Sequence, residues 1–183
     1  AKQILERRIN EMGLSEPLVQ REGARRIIIE LPGVKDPDEA IKRIGKTAVL
    51  EFKNDQGQTV MTGDDLKDAK EELGQNKQPL VAIELSDEGA KKFADLTSKN
   101  IGRRIAITLD GKELTNPVVQ QAITGGKATI SGSQSLEEAK DLAILLRSGA
   151  LPVKINVLEV RTVGPSLGQD SKDKSVVAFS AGI

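Results

Sequence analysis

SLEEAKDLAILLRSGALPVKINVLEVRTVGPSLG, residues 135–168, decides the fold of this chain, because it joins a well-signalled helix to a long strand. Ser135 and Glu138 have the spacing of a capping box, in which each side chain accepts a hydrogen bond from a backbone N–H of the first turn. Small and apolar residues then recur on one face until Gly149, a residue type that ends many helices in a left-handed conformation. The pattern predicts a helix over 136–147.

A long strand is predicted directly after this helix, over 153–163. Pro152 stops the helix, and apolar residues then alternate with polar ones, apart from a break at Val157-Leu158 that fits a bulge or burial on both faces. The strand has no evident partner in the middle of the chain, but it can complete a sheet formed by the first residues. The chain therefore predicts two lobes: a base lobe, 1–53 plus 152–170, and an inserted head lobe, 54–151.

The predicted base lobe has the element order helix, strand, strand, helix, strand. An amphipathic helix comes first, strands follow at 17–20 and 26–31, and Asp36 caps a short second helix. A strand over 47–53 closes the series. This order is most of a ferredoxin-like α+β unit that lacks its first strand.

The head lobe is also predicted to be α+β. Thr62 is expected to cap a short helix that ends at Gly74, and Ser86 a longer helix. Strands are expected on either side of the second helix, over 80–85, 105–109, 118–123 and 128–131. Pro117 cannot donate to a strand ladder, which predicts an edge strand or a bulge over 114–123.

Composition excludes several classes of function. The 27 basic residues equal the 27 acidic ones, so no net field favours nucleic acid or an anionic membrane surface. Three phenylalanines are the only aromatic residues, which argues against a base-stacking platform. Without histidine or cysteine the chain has no disulfide, no thiol nucleophile and no His or Cys metal site.

Short motifs that resemble chemical sites are better explained as turns and solvated helix faces. Asp110-Gly111-Lys112 pairs an acid with a base, but Asp-Gly between two strands is typical of a turn. Gly125-Gly126-Lys127 lacks the spacing of a phosphate-binding loop, and no helix is predicted to begin there. The acidic pairs at 64–65 and 71–72 lack the ligand alternation of a calcium loop. We therefore expect no catalytic residue, no metal and no cofactor.

The opening run also carries a family resemblance. LLRSGALPVKINVLEVRTVGPSLGQDS (145–171) is similar to the end of the large extracytoplasmic domain of the SecD family, a membrane subunit of the bacterial Sec protein-export machinery. Further segments resemble the same family in the same order: RRINEMGLSEPLVQREGARRIIIELPGV (7–34), IGKTAVLEF (44–52), GAKKFADLTSKNIGRRIAITLDG (89–111) and AITGGKATISG (122–132). The resemblance covers nearly the whole chain.

The resemblance implies a base-and-head arrangement on the outer face of the plasma membrane, in a parent protein that is embedded in that membrane. A first membrane helix and the missing first strand would lie upstream. The tail, 171–183, would begin a truncated second membrane helix, although its apolar part is only about half of the ~20 residues that such a helix needs. The implied partners are SecF, the SecYEG translocon and unfolded preprotein, with no nucleic acid.

Two functions of different classes are considered, the first implied by the resemblance and the second by the ferredoxin-like pattern. The first is a binding and mechanical module that engages translocating preprotein and moves its head lobe, in a family that uses proton flow through membrane helices. The alternative is a stand-alone regulatory domain of ferredoxin-like type that binds a small molecule. A hydrolase is disfavoured because the chain has no histidine or cysteine, although carboxylate-only mechanisms stay open.

Preprotein contacts are expected on the predicted edge segment, at Thr115, Pro117, Val118, Val119 and Gln121. A translocating chain has any sequence, so its capture should depend on backbone pairing and shallow apolar surface. The sequence leaves open that both valines belong to the core instead.

The two crossings between the lobes are predicted to act as hinges. One contains Asn54 and Gly57, and the other contains Gly149, Leu151 and Pro152. A hinge needs only a few residues that absorb the change in φ and ψ. The alternative is that both crossings are rigid linkers, with the head packed permanently on the base.

Overall fold

The computed structural model describes residues 1–14, 16–162 and 175–181, of which 161–162 and 175–181 are described by their backbone alone. These residues form two compact units: the base unit, Ala1–Thr47 with Leu151–Ile183, and the head unit, Ala48–Ala150. Both combine helices with antiparallel sheet, so the predicted α+β class is confirmed. Among the described residues no helix is long and apolar enough to cross a membrane.

The elements follow one another along the chain as α1 (Lys2–Glu11), β1 (Leu18–Glu22), β2 (Arg26–Glu30), α2 (Pro37–Ile44), β3 (Leu50–Lys53), β4 (Thr59–Thr62), a 3₁₀ turn (Gly63–Asp65), β5 (Leu66–Leu73), β6 (Pro79–Leu85), α3 (Asp87–Lys99), β7 (Ala106–Leu109), β8 (Lys112–Thr115), β9 (Lys127–Ser131), α4 (Leu136–Ser148), β10 (Ile155–Thr162) and β11 (Ser175–Ala181).

The base unit is built from α1, α2 and one four-stranded antiparallel sheet of order β1-β2-β11-β10. β10 lies in the same sheet as the N-terminal strands β1 and β2, but it pairs with β11 and not, as the sequence predicted, with a strand of the first 53 residues. Its register shifts between Val157 and Glu159, where the sequence pattern fits a bulge. α1, β2 and α2 share an apolar core that includes Leu5, Ile29 and Ile44.

The structure differs from the prediction in the tail of the chain. Ser175–Ala181 is a strand, whereas the sequence predicted the start of a membrane helix over 171–183; residues 171–174 and 182–183 of that prediction lie outside the described residues. β11 pairs with the β-branched run 27–29 of β2, whose second edge would otherwise have no strand beside it. Valines at 176 and 177 favour the extended conformation as well.

The head unit contains two sheets, of order β4-β3-β7-β8 and β5-β6-β9, together with α3 and α4. Ser86 and Ser135 cap these helices as predicted, because each hydroxyl accepts a hydrogen bond from a first-turn N–H at 3.1 Å. One continuous apolar core joins both sheets to both helices. Within it the rings of Phe52 and Phe93 meet edge to face, with centroids 5.9 Å apart.

β3 belongs to the head unit, although the sequence assigned its residues to the base lobe. It pairs with β4 on one side and β7 on the other, and it buries Leu50 and Phe52 in the head core. The base therefore ends at Thr47 rather than at residue 53, and the head begins at Ala48. The local pattern identified the strand correctly, but it does not specify partners that lie far away in the sequence.

The prediction of a short helix after Thr62 is wrong, because the chain forms strand β5 there. Thr62 caps only the 3₁₀ turn, and the Asp65 carboxylate completes a capping box with it. The spacing of Leu66, Ala69 and Leu73 fits a helix face, yet only Ala69 is buried. Pairing with β6 along the whole strand outweighs the helix propensity of this segment.

Candidate functional site: a groove in the head unit

A solvent-accessible groove of about 700 Å³ lies within the head unit. It is bordered by β5, β6 and β9 of one sheet, by β7 of the other sheet, by α3, and by residues 117–123. Its apolar lining includes Ile83, Phe93, Ile105, Ile107 and Val119. The groove thus opens where the two sheets of the head diverge.

The segment over 117–123 is anchored at both ends. At its start the Gly102 N–H donates to the Val119 carbonyl and the Val119 N–H donates to the Arg103 carbonyl, each at 2.8 Å. At its end the Ile123 N–H donates to the Thr97 hydroxyl at 2.9 Å, and that hydroxyl donates onward to a carbonyl of α3. These bonds fix the segment beside the groove without making it a strand of either sheet.

Between these anchors the backbone is open. Gln120, Gln121 and Ala122 are exposed, and among the described residues their backbone N–H and C=O groups have no hydrogen-bond partner. Peptide groups of this kind can pair with another extended chain.

The structure brings together four of the five residues predicted as preprotein contacts. Pro117, Val118, Val119 and Gln121 all line the groove. Thr115 does not; its hydroxyl lies 3.1 Å from that of Ser131, where β8 approaches β9 at one end of the groove. The sequence left open whether the two valines belong to the core or to the contact surface. Val119 is 8% exposed and belongs to the core, whereas Val118 is 45% exposed and lies on the surface.

Charged residues of both signs stand around the groove. The Lys67 ammonium lies 2.6 Å from the Glu84 carboxylate, and this hydrogen bond lowers the pKa of Glu84 and raises that of Lys67. Burial alone raises the pKa of Asp68. Hydrogen bonds that its carboxylate accepts from Lys70 and from the Ala69 N–H together outweigh this effect, so the pKa of Asp68 lies below that of a free aspartate. The groove therefore has an apolar interior and a border of paired charges.

The groove has the features of a binding site. The sequence contains no histidine or cysteine, and no cluster of three potential metal-ligating side chains occurs in the described residues. Thr97, the hydroxyl nearest the interior, is already engaged with α3 and Ile123. Recognition by shape and by main-chain hydrogen bonds is the chemistry that this arrangement offers.

The predicted hinge at Asn54 and Gly57 lies elsewhere than at a crossing. Both residues belong to the tight turn between β3 and β4, in which the Gly57 N–H donates to the Asn54 carbonyl at 3.0 Å. The Asn54 side chain also accepts from the Gln56 and Gln58 N–H groups. The chain instead passes from base to head at Thr47-Ala48 and returns at Ala150-Leu151, next to the predicted Gly149 and Pro152.

Arg8 holds the base side of the first crossing. Its buried guanidinium donates to the Ile44 carbonyl at 2.6 Å and also to the Lys46 carbonyl. The next carbonyl, that of Thr47, accepts the Leu151 N–H at 2.8 Å. The outgoing and returning chains are therefore tied together within the base unit.

Asp110 holds the head side of the same crossing. Its two carboxylate oxygens accept from the Ala48 and Val49 N–H groups at 3.0 and 2.9 Å, and its own N–H donates to the Val49 carbonyl. Ala48 and Gly149 both have positive φ, 59° and 88°. The sequence identified Asp110 only as a turn residue, and Arg8 only as part of the first amphipathic helix.

Comparison with known proteins assigns the family. A profile described as "SecDF, P1 head subdomain" matches residues 41–153, and one described as "Protein translocase subunit SecDF, P1 domain, N-terminal" matches residues 1–57. Protein translocase subunit SecD of Acidaminococcus fermentans is 60% identical over 181 residues, which are 99% of this chain and 43% of that protein. SecDF of Thermus thermophilus is 43% identical over an alignment of 209 positions, which covers 93% of this chain and 28% of that protein.

Solved structures agree with this assignment. A structure described as that of "a membrane component SecDF that enhances protein export" is 40% identical, has a TM-score of 0.81 and matches over 88% of this chain and 91% of its own. SecDF in a "Super-membrane-facing form" is 41% identical, with a TM-score of 0.79 over 84% of this chain and 26% of that one. The chain spans less than half of the length of the two curated relatives. On the two profiles and these relatives together, the chain belongs to the SecD/SecDF family of protein translocase subunits and corresponds to their P1 domain.

Proposed function

We propose that this P1 domain binds unfolded polypeptide in the groove of its head unit during protein export. The observation that carries the proposal is the combination, along one segment, of anchored ends, an exposed backbone without partners at 120–122, and an apolar groove beside it. An unfolded chain of any sequence offers peptide groups and intermittent apolar side chains, and the groove is complementary to both.

The setting of this activity follows from the family. A relative described as a membrane component that enhances protein export suggests the same task for the parent of this domain. We propose that the domain works on the extracytoplasmic face of the plasma membrane, with SecF and the SecYEG translocon as partners. Movement of the head unit would then transmit the work of the proton-motive force to the bound chain.

A small regulatory ligand is the alternative, since the volume of the groove falls within the range of small-molecule sites. Such sites fix their ligand with a few buried polar groups that are free to bind it. Here the interior is mainly apolar, and its buried hydroxyl, that of Thr97, is already bonded, whereas the other lining hydroxyl, that of Thr129, is exposed. The groove therefore suits an extended chain better than a compact polar ligand.

Site-specific photocrosslinking in the full-length protein tests the proposal. A photoreactive residue at Gln121 is expected to capture translocating preprotein in higher yield than one at Lys42, an exposed residue of α2 in the base unit. A probe at Thr115, which does not itself line the groove, should give an intermediate yield. Equal yields at Gln121 and Lys42, or a higher yield at Lys42, would contradict the proposal.

A further inference from the structure

We infer that the polypeptide binds as an added β-strand on the free edge of β9, which is one border of the groove. The inference rests on the proposed function and specifies how the chain is held. β9 is an edge strand, because its sheet has the order β5-β6-β9. Its partner on one side is β6, and no strand of the described residues pairs with its other side.

The hydrogen-bond pattern of this sheet identifies which peptide groups point outward. The Leu85 N–H donates to the directly opposite Gly126 carbonyl at 2.8 Å, so this is a bonded pair of the antiparallel ladder. Bonded pairs recur at every second position, which makes Ile83–Ala128 and Val81–Ile130 the next ones. The groups of the alternate residues of β9 then face away from β6.

The other ladder of the sheet gives the same alternation independently. On the far side of β6 the Gly74 N–H donates to the Gln78 carbonyl at 2.9 Å, which places Leu80 and Ala82 in bonded pairs with β5. These are the residues of β6 that do not bond to β9. The β5–β6 ladder and the β6–β9 ladder thus give the same alternation, each from a different hydrogen bond.

Lys127 and Thr129 therefore direct their backbone N–H and C=O groups away from β6, and both residues line the groove. Neither has another hydrogen-bond partner within the described part of the chain. Residues two apart in a strand are spaced by about 6.6–6.8 Å, the repeat with which a second strand presents its own peptide groups. Ladder bonds of this kind do not depend on the sequence of the added chain.

The neighbouring strand leaves this part of the edge open. β8 comes close to β9 only at its end, where the Thr115 and Ser131 hydroxyls meet and the Leu114 carbonyl packs against Gly132. A Cβ on Gly132 would lie 2.6 Å from that carbonyl, so the two strands are close at this point, and none of these residues lines the groove. The edge beyond it, at 127–129, remains accessible.

The opposite edge of the same sheet is partly occupied and provides a contrast. On β5 the carbonyl of Ala69 points away from β6, and it accepts a hydrogen bond from the Arg147 guanidinium of α4 at 2.7 Å. α4 thus lies against the outer edge of β5. β9 is the edge that both borders the groove and keeps its peptide groups free.

Proline substitution tests the inference, because proline removes one N–H donor and is tolerated on the free side of an edge strand. The 183-residue chain is titrated against a fluorescent, uncharged ten-residue apolar peptide, followed by fluorescence anisotropy. Thr129→Pro should raise the Kd of the peptide about tenfold, because one hydrogen bond to the peptide is lost and the proline ring keeps the peptide away from β9. Thr129→Val keeps the N–H and should change Kd by less than about twofold.

Two further arms separate a binding effect from a folding effect. Glu71→Pro, at an outward position of β5 in the same sheet, should leave Kd within about twofold of the wild type. In the second arm the peptide is changed and the protein is left as it is. N-methylation of alternate residues leaves all N–H groups along one edge of the extended peptide and should preserve binding. N-methylation of every residue removes the N–H groups of both edges and should abolish binding.

The outcomes distinguish this inference from the function on which it rests. Unchanged affinity for Thr129→Pro, or full binding of the completely N-methylated peptide, overturns strand addition, while capture from Gln121 would still support the groove. Absence of any peptide binding to the wild type, together with no preprotein capture from Gln121, overturns both.

Discussion

At the scale of single residues, Arg8 shows how a buried charge organises the end of an element. A guanidinium with no exposed surface must be fully hydrogen-bonded, because an unpaired charge in the interior is very costly. Arg8 donates to two carbonyls at and just beyond the end of α2, where a helix leaves its last C=O groups unpaired. The side chain thereby fixes the residues that lead into the first crossing.

Replacing this side chain should destabilise the base unit selectively. Arg8→Met keeps much of the apolar stem but leaves two carbonyls without their donor, so we expect the free energy of unfolding to fall by about 2–4 kcal/mol. Urea denaturation measures the change. Arg7→Met, at an exposed position of the same helix, is the matched control and should stay within about 0.5 kcal/mol of the wild type; equal losses for the two variants would refute the role assigned to Arg8.

Gly89 has a simple steric role in α3. A Cβ at this position would clash with the Asp65 carbonyl oxygen, a backbone atom that also accepts the Ser86 N–H. Alanine normally stabilises a helix by about 1 kcal/mol over glycine, but here the clash should dominate.

The prediction for Gly89→Ala is a net loss of about 1–3 kcal/mol in the free energy of unfolding of the head unit. The thermal midpoint, followed by circular dichroism, should fall accordingly. Lys91→Ala, two residues away and exposed, should leave the midpoint nearly unchanged. A gain in stability for Gly89→Ala would show that α3 can move away from Asp65 at little cost.

At the scale of elements, local signals were sufficient wherever the controlling contact is local. The caps at Asp36, Ser86 and Ser135 each involve an N–H three residues away, and all three helices begin where the sequence predicts. β5 was mispredicted because its helix-forming residues are held extended by β6, and β3 was assigned to the wrong unit because β7 lies more than fifty residues away. Pairing of this kind is absent from any local pattern.

In the groove, too, features set by local sequence could be predicted and features set by distant contacts could not. Pro117 marked an edge segment, and that segment does line the groove. The free edge of β9 could not be predicted, because which of its peptide groups face outward depends on the register with β6. The hinge residues depend equally on distant contacts, since the role of Asp110 becomes visible only when its carboxylate meets Ala48 and Val49.

Asp110 should therefore restrain the backbone at the start of the head unit. In Asp110→Ala the Ala48 and Val49 amides lose their acceptors, and we expect their hydrogen exchange to become at least about tenfold faster. Asp110→Asn retains one side-chain oxygen and tolerance of the positive φ found here, so its effect should be smaller. Unaltered exchange of both amides in Asp110→Ala would mean that other contacts fix the crossing.

At the scale of the whole molecule, the proposed function requires the head unit to move as a rigid body. Each unit has its own core, and the chain passes between them only at Thr47-Ala48 and Ala150-Leu151. Arg8 and Asp110 hold the residues on either side of the first passage, which leaves little backbone in which rotation can occur. A change in few dihedral angles is sufficient for hinge motion.

Paired spin labels in the full-length protein test this motion, and the absence of native cysteine within these residues makes the labelling clean. Labels at Lys42 of α2 and Lys140 of α4 should give a broad or multiple distance distribution. Labels at Lys91 and Lys140, both in the head unit, should give one narrow distance. A single narrow distance for both pairs would support the rigid-linker alternative instead.

The most direct test of the central claim, that the head groove holds unfolded polypeptide, is a titration of the isotope-labelled 183-residue chain followed by amide NMR. A chemically unfolded polypeptide is added, and the shift of every assigned backbone amide is measured. We predict that the largest shifts cluster at Lys127, Thr129 and 120–122, with little change in α2 of the base unit. Shifts confined to the base unit, or no shifts at saturating polypeptide, would contradict it.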